Sequence, residues 1–442
     1  MAVQLSDHFT YKKLIRFVFP SIVMMIFTSI YGVVDGFFVS NYVGEEAFEA
    51  VNFIMPFIML PGTAGFMLGT GGSALIAGKL GEGDSEKANR YFSMLVYIGI
   101  ALGILLSVFC ILFLRPIAHA LGAEGRMLDF CVRYGRIILL ALPAFILQYM
   151  FQSFFVTAER PKLGLAVTVL SGCTNIVLDF LLIGILHLGL EGAAFATAMS
   201  QTVGGVIPLF YFFSKNKSLL RLGKTRLEPG VLLRACFNGS SELMTNVSLS
   251  LVNMLYNFQL MRLIGNDGIA AYGTIMYVNF IFISVFIGFS VGSAPIVSFH
   301  FGAGNRAELK NLLKKGIVFN VAASVSMFLL AIFLAKPLSM LFVGYNESLF
   351  ALTVRGFGIY SLSFLLIGFN IYASSFFTAL GNGALSAILS FLRTLLFQVV
   401  AVLVLPMLLK ADGVWFAITA AELAALIISV CFLAKNRKRY GY

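Results

Sequence analysis

The sequence predicts an all-α polytopic membrane protein with twelve transmembrane helices in two parallel six-helix repeats, and three observations carry that prediction. Hydrophobic residues make up 59% of the 442 positions and charged residues 12%, with a mean hydropathy of +0.93. Soluble domains carry about 25% charged residues. Here the charges fall in short clusters separated by apolar runs of bilayer-spanning length, roughly 20 residues. The second observation is an internal repeat, and the third is an acid inside the first apolar run.

Lys12, Lys13 and Arg16 precede an apolar run from about Ile15 to Ser40, too long for the ~7–15-residue core of a signal peptide, so it reads as an uncleaved first helix. Eleven further runs follow, and the twelve centre on about residues 28, 62, 103, 147, 175, 202, 250, 284, 325, 367, 397 and 424. An even number of crossings puts both termini on one side. With cytoplasmic termini, the inner segments hold 22 of the 31 Lys and Arg and the outer segments 8, with Arg393 left inside the eleventh span. The positive-inside rule therefore selects the plasma membrane topology with both termini cytoplasmic. Because the basic residues sit in loops and not on one face, the +11 balance answers to lipid headgroups, with no nucleic-acid partner expected.

A shift of 221 residues superposes the punctuation of the chain on itself. Gly44 meets Gly265, Gly81 and Gly83 meet Gly302 and Gly304, Pro116 meets Pro337 and Gly135 meets Gly356. Each half then has six spans in the same orientation, a parallel repeat found among secondary transporters. The expected division is a first lobe over residues 1–213, a basic linker over 214–230 and a second lobe over 231–442.

Asp35 interrupts the first span about five residues before its outer end. A carboxylate there costs roughly 2.5–3.5 kcal/mol on insertion scales, so it needs partners at its own depth. The fifth span carries Ser171, Asn175 and Asp179 on one helical stripe, and the sixth reaches Thr197 after about two turns. Asp35, Asn175, Asp179 and Thr197 thus form a cation-coupling site if their helices are neighbours. Their oxygens suit Na+ as the bound metal ion, and two adjacent carboxylates equally suit a proton. The opposing reading, a satisfied polar interior, fits one acid better than two at one level.

The shift of 221 turns these four residues into Tyr256, Leu396, Val400 and Ile418, so the coupling chemistry is expected once, in the first half. Elsewhere, Glu242, Asn246, Asn253 and Asn257 fall within about 60° on the seventh helix and are candidates for a substrate cavity, with Tyr31, Gln148 and Gln152. The two glutamines equally suit a bridge between helices. Arg393 and Glu422 sit at similar depths and are expected to form a buried ion pair. Gly72 to Lys79 has the wrong spacing for a phosphate loop and Leu80 where Ser or Thr is needed, so no nucleotide and no other cofactor is expected, only a coupling ion. No nucleophile and base cluster points to an enzyme.

Phe19-Pro20-Ser21 through Asp35-Gly36-Phe37-Phe38-Val39, Gly44, Ala50-Val51-Asn52 and Ala77-Gly78-Lys79-Leu80-Gly81-Glu82-Gly83-Asp84 resemble multidrug and toxic compound extrusion (MATE) transporters, the DinF-like branch above all. The resemblance spans nearly the whole chain. It implies a monomer with two lobes in a V, and a secondary active multidrug efflux antiporter that exchanges organic, cationic compounds for inward H+ or Na+. It also implies that Asp35, Asn175, Asp179 and Thr197 hold the ion and that Pro20 is a hinge in the first helix. A flippase for lipid-linked intermediates is the alternative; its pyrophosphate cargo calls for a more cationic lumen than one Arg393 supplies.

Overall fold

A computed structural model describes residues 3–442, apart from the side chains of Ser40, Asn41 and Glu45. Twelve long helical stretches follow one another: α1 Tyr11–Tyr42, α2 Glu45–Gly81, α3 Ser85–Ala120, α4 Gly125–Leu140 with Leu142–Thr157, α5 Pro161–Leu178 continued by the π-helical turn Asp179–Ile185, and α6 Gly189–Phe213. A short lead-in helix, Pro229–Asn238, opens the second half. It is followed by α7 Ser240–Leu263, α8 Asn266–Gly302, α9 Arg306–Val343, α10 Glu347–Ser361 with Phe364–Ala379, α11 Gly383–Leu409 and α12 Ala411–Tyr440. Nine of these are single helices long and apolar enough to cross a bilayer, and the two bent stretches α4 and α10 raise the number to eleven among the described residues. The twelfth is α7, whose Glu242, Asn246, Asn253 and Asn257 dilute its apolar content.

The repeat is written into local backbone chemistry. Gly44 and Gly265 precede α2 and α8 with φ of 100° and 89°, and Gly83 and Gly304 end the following turns at 82° and 68°. These left-handed conformations cost glycine least. Asp84 and Asn305, also 221 apart, cap α3 and α9 by accepting the backbone N–H of Lys87 and Glu308. The breaks in α4 and α10 bend them by 54° and 45° at corresponding places. A π-helical stretch occurs in both α5 (Asp179–Ile185) and α11 (Leu392–Leu396).

One apolar core lies within the first half, around Phe92, Phe154 and Phe212, and another within the second, around Phe286, Tyr360 and Trp415. A third core draws on both, on the face that carries the termini, and contains Leu5, Phe9, Phe289 and Phe376. On that face the backbones of the two halves touch. A Cβ on Gly302 would stand 2.0 Å from the Gly78 carbonyl oxygen, and one on Gly81 2.0 Å from that of Phe299. Only glycine permits so close an approach. The chain start straps across the same seam: the Leu5 N–H donates to Glu159 Oε1 at 2.6 Å, while the Phe9 N–H donates to Glu308 Oε1 at 2.9 Å. Residues 214–228 carry no helix and lie along α3, where Arg90 pairs with Glu228 at 2.8 Å and Thr225 Oγ1 donates to the Arg90 carbonyl.

Candidate functional site

α1, α5 and α6 pack side by side, and their polar residues meet at one level. Asn175 Nδ2 donates to Asp35 Oδ1 at 3.4 Å, and Thr197 Oγ1 donates to the same oxygen at 3.3 Å. Asp179, fully buried, faces Asp35 from the first residue of the π-helical turn. Both of its carboxylate oxygens and Asn175 Oδ1 lack a hydrogen-bond donor among the described residues. The register change of a π turn moves a side chain off the regular α stripe, and such turns recur at functional sites. Here it starts at the acid. One level deeper, Ser171 Oγ donates to the Ser200 carbonyl and Ser200 Oγ to that of Ser171, at 2.8 and 2.9 Å, clamping α5 to α6 beneath the cluster.

Two orphaned carboxylate oxygens on Asp179 and one amide oxygen on Asn175, beside the Asp35 carboxylate, make an acceptor-rich, donor-poor pocket. Burying such groups is costly unless a proton or a cation joins them. The donor set fits a hard monovalent cation or a proton. Among the described residues there is no group of three or more His, Cys, Asp and Glu that would hold a transition metal.

The second polar site lies elsewhere. A cavity between the halves is walled mainly by α7, α8, α10, α11 and α12, with Thr70, Ser73 and Ser153 from the first half. Of the seven residues proposed for it from sequence, Glu242 and Asn253 line it; Asn253 Oδ1 accepts the Tyr272 hydroxyl at 2.9 Å. The other five do not. Asn246 turns its amide back to the Glu242 carbonyl at 2.8 Å, and Asn257, farthest round the stripe, is exposed. Gln148 bridges helices by donating to Ser171 Oγ at 3.2 Å, and with Gln152 lines a separate small pocket against α5. Tyr31 packs against Phe27, the ring centres 6.1 Å apart, one turn below Asp35. Pro20 sits inside an unbroken α1.

Arg393, in the π turn of α11, lies beside Glu422 with Nη1 3.6 Å from Oε1. Sequence reasoning missed the residue that completes this group, Asn370, whose Nδ2 donates to Glu422 Oε2 at 2.7 Å. Its signal was an amide in the apolar second part of α10.

A model of the MatE family matches residues 20–181 and 243–403, one match in each half. The chain belongs to the MatE family. It is therefore a MATE transporter and not an enzyme, and its family match repeats as its fold does. It is similar to the multidrug export protein MepA of Staphylococcus saprophyticus, 24% identical over 96% of this chain and 92% of that one. Its fold matches a MATE transporter crystallised with MaL6 at a TM-score of 0.94, with 22% identity and 99% of each chain covered. It also matches an outward-facing multidrug resistance MATE transporter of the MOP superfamily at 0.93, with 21% identity over 99% and 98%.

Proposed function

We propose that this MATE transporter is a secondary active multidrug exporter of the plasma membrane, exchanging organic cations for inward H+ or Na+ held by Asp35, Asp179, Asn175 and Thr197, with both termini cytoplasmic. The carrying observation is the pair of acids at one depth: Asp35 accepts from Asn175 and Thr197, and the buried Asp179 has no donor to either carboxylate oxygen among the described residues. Supporting it are the export function named for the MepA relative and the basic residues of the inner loops.

An ion can drive a conformational change only by binding one state better than another. α1 is placed to transmit that preference, because it contacts α8 of the second half even more extensively than α5 of its own. Ser29 Oγ on α1 hydrogen-bonds to Ser284 Oγ, and Gly288 and Gly292 of α8 lie against Ile22 and Val18. Occupation of the acid pair draws α1 toward α5 and α6 and strains its seat on α8. Pro20, which removes one backbone donor, supplies the bending point. On this reading the glycine seam and the N-terminal strap form the gate on the cytoplasmic face.

Uptake of a fluorescent organic cation into proteoliposomes, under separately imposed proton and sodium gradients, tests the reading. One gradient is expected to accelerate transport at least tenfold. Equal rates with and without both gradients would refute ion-driven exchange.

A further inference from the structure

We propose that the cavity of the second half takes zwitterionic substrates, with Arg393 receiving the substrate's carboxylate and Glu242 its cationic group; this rests on the export reading above. Three helices bring charge to this cavity: Glu242 from α7, Arg393 from the π turn of α11 and Glu422 from α12. Their states of satisfaction differ. Glu422 is served by Asn370 at 2.7 Å. Arg393 is not: its contact with Glu422, 3.6 Å, is too long for a hydrogen bond, and its buried Nε has no acceptor among the described residues.

A guanidinium carries five N–H donors in a planar fork that matches a carboxylate edge to edge. A purely structural Arg–Glu pair in a dry interior normally uses that fork bidentately, because each unmade bond there is costly. Arg393 leaves its Nε edge unused. Glu242 is the complement: no donor reaches its carboxylate among the described residues, the Asn246 amide bonding to its backbone carbonyl instead, and it lines the same cavity as Arg393. The cavity thus holds a free donor edge and a free acceptor on different walls. A ligand with an anion at one end and a cation at the other satisfies both.

Further orphaned polar atoms line the same cavity, namely the Tyr256 hydroxyl, Asn279 Oδ1 and Ser290 Oγ, and Ile283, Ile287 and Ile367 offer an apolar wall for a ring system. The coupling cluster of the first half cannot take the carboxylate, because its two charged groups are both acids. Like charges in a low-dielectric interior repel strongly. Among the charges set within the membrane, Arg393 is the base that makes such cargo acceptable.

A matched dye pair tests this. Rhodamine 6G is an ethyl ester and a monocation; its free acid, rhodamine 19, carries the same ring system as a zwitterion. Both are expected to be transported by the native protein in proteoliposomes. Because Arg393→Gln alone would strand the Glu422 charge, the informative variant is Arg393→Gln with Glu422→Gln. In it the ratio of acid to ester transport is expected to fall at least tenfold, with part of the loss recovered by Arg393→Lys in the native background. Equilibrium binding of the two dyes to the purified variants gives the same ratio where transport is slow. An unchanged ratio, or native protein that carries the ester but not the acid, overturns the zwitterion site and leaves the export reading standing. Native protein that carries neither dye overturns the export reading itself.

Discussion

Asp35→Asn and Asp179→Asn are each expected to abolish energised efflux, lowering export of an organic cation at least a hundredfold while leaving the amount of protein in the membrane unchanged. Asparagine is nearly isosteric with aspartate. At position 35 its amide oxygen still accepts from Asn175 and Thr197, so the packing of α1 against α5 and α6 survives. What disappears is the charge that, in the proposed mechanism, attracts the driving ion. Throwing a two-state equilibrium from about 1:99 to 99:1 needs about 5.5 kcal/mol of differential binding, which a neutral amide does not obtain from H+ or Na+. Drug resistance and dye efflux in cells expressing either variant measure the outcome. Near-native resistance in both would mean that the acids are only structural.

Gly302→Val is expected to cost at least tenfold in transport by a different route. The added Cβ falls 2.0 Å from the Gly78 carbonyl oxygen, and backbone cannot give way as a flexible side chain does. The halves must part along this seam, and with the proposed topology the cytoplasmic gate no longer closes. Gly81→Val, aimed at the Phe299 carbonyl, is expected to act in the same way. The opening is read by a thiol introduced as Ser298→Cys in a cysteine-free background. Ser298 is buried beside this seam, its hydroxyl donating to the Ala379 carbonyl at 2.8 Å. Labelling from the cytoplasmic side should rise with Gly302→Val; native labelling and native transport together would show that the seam does not gate.

Much of this architecture was legible in the residues because bilayer physics constrains sequence so tightly. Apolar run length marks the spans, and the 221-residue shift in glycines and prolines marks the duplication, since each such residue answers to a backbone geometry that both copies need. The meeting of Asp35 with Asn175 and Thr197 followed from depth alone, one coordinate that helix rise supplies. Rotation about each helix axis was not legible in the same way. The stripe on α7 reads as one face, yet the arc it spans is wide enough that Glu242 and Asn253 reach the cavity while Asn257 does not. The π turns at Asp179 and Arg393 leave no trace in composition, because hydrogen-bond register is decided by packing against neighbouring helices. The N-terminal strap was equally silent: Leu5, His8 and Phe9 become meaningful only when Glu159 and Glu308, far along the chain, arrive beside them.

If one coupling site in the first half links ion entry to substrate exit, substrate must drive ion movement. Proteoliposomes loaded with an ion-sensitive dye receive a pulse of organic cation with no ion gradient imposed. The account predicts that native protein moves H+ or Na+ in the direction opposite to the substrate, and that Asp35→Asn moves none although it still binds the substrate. Substrate-driven ion flux of native size in Asp35→Asn would contradict it.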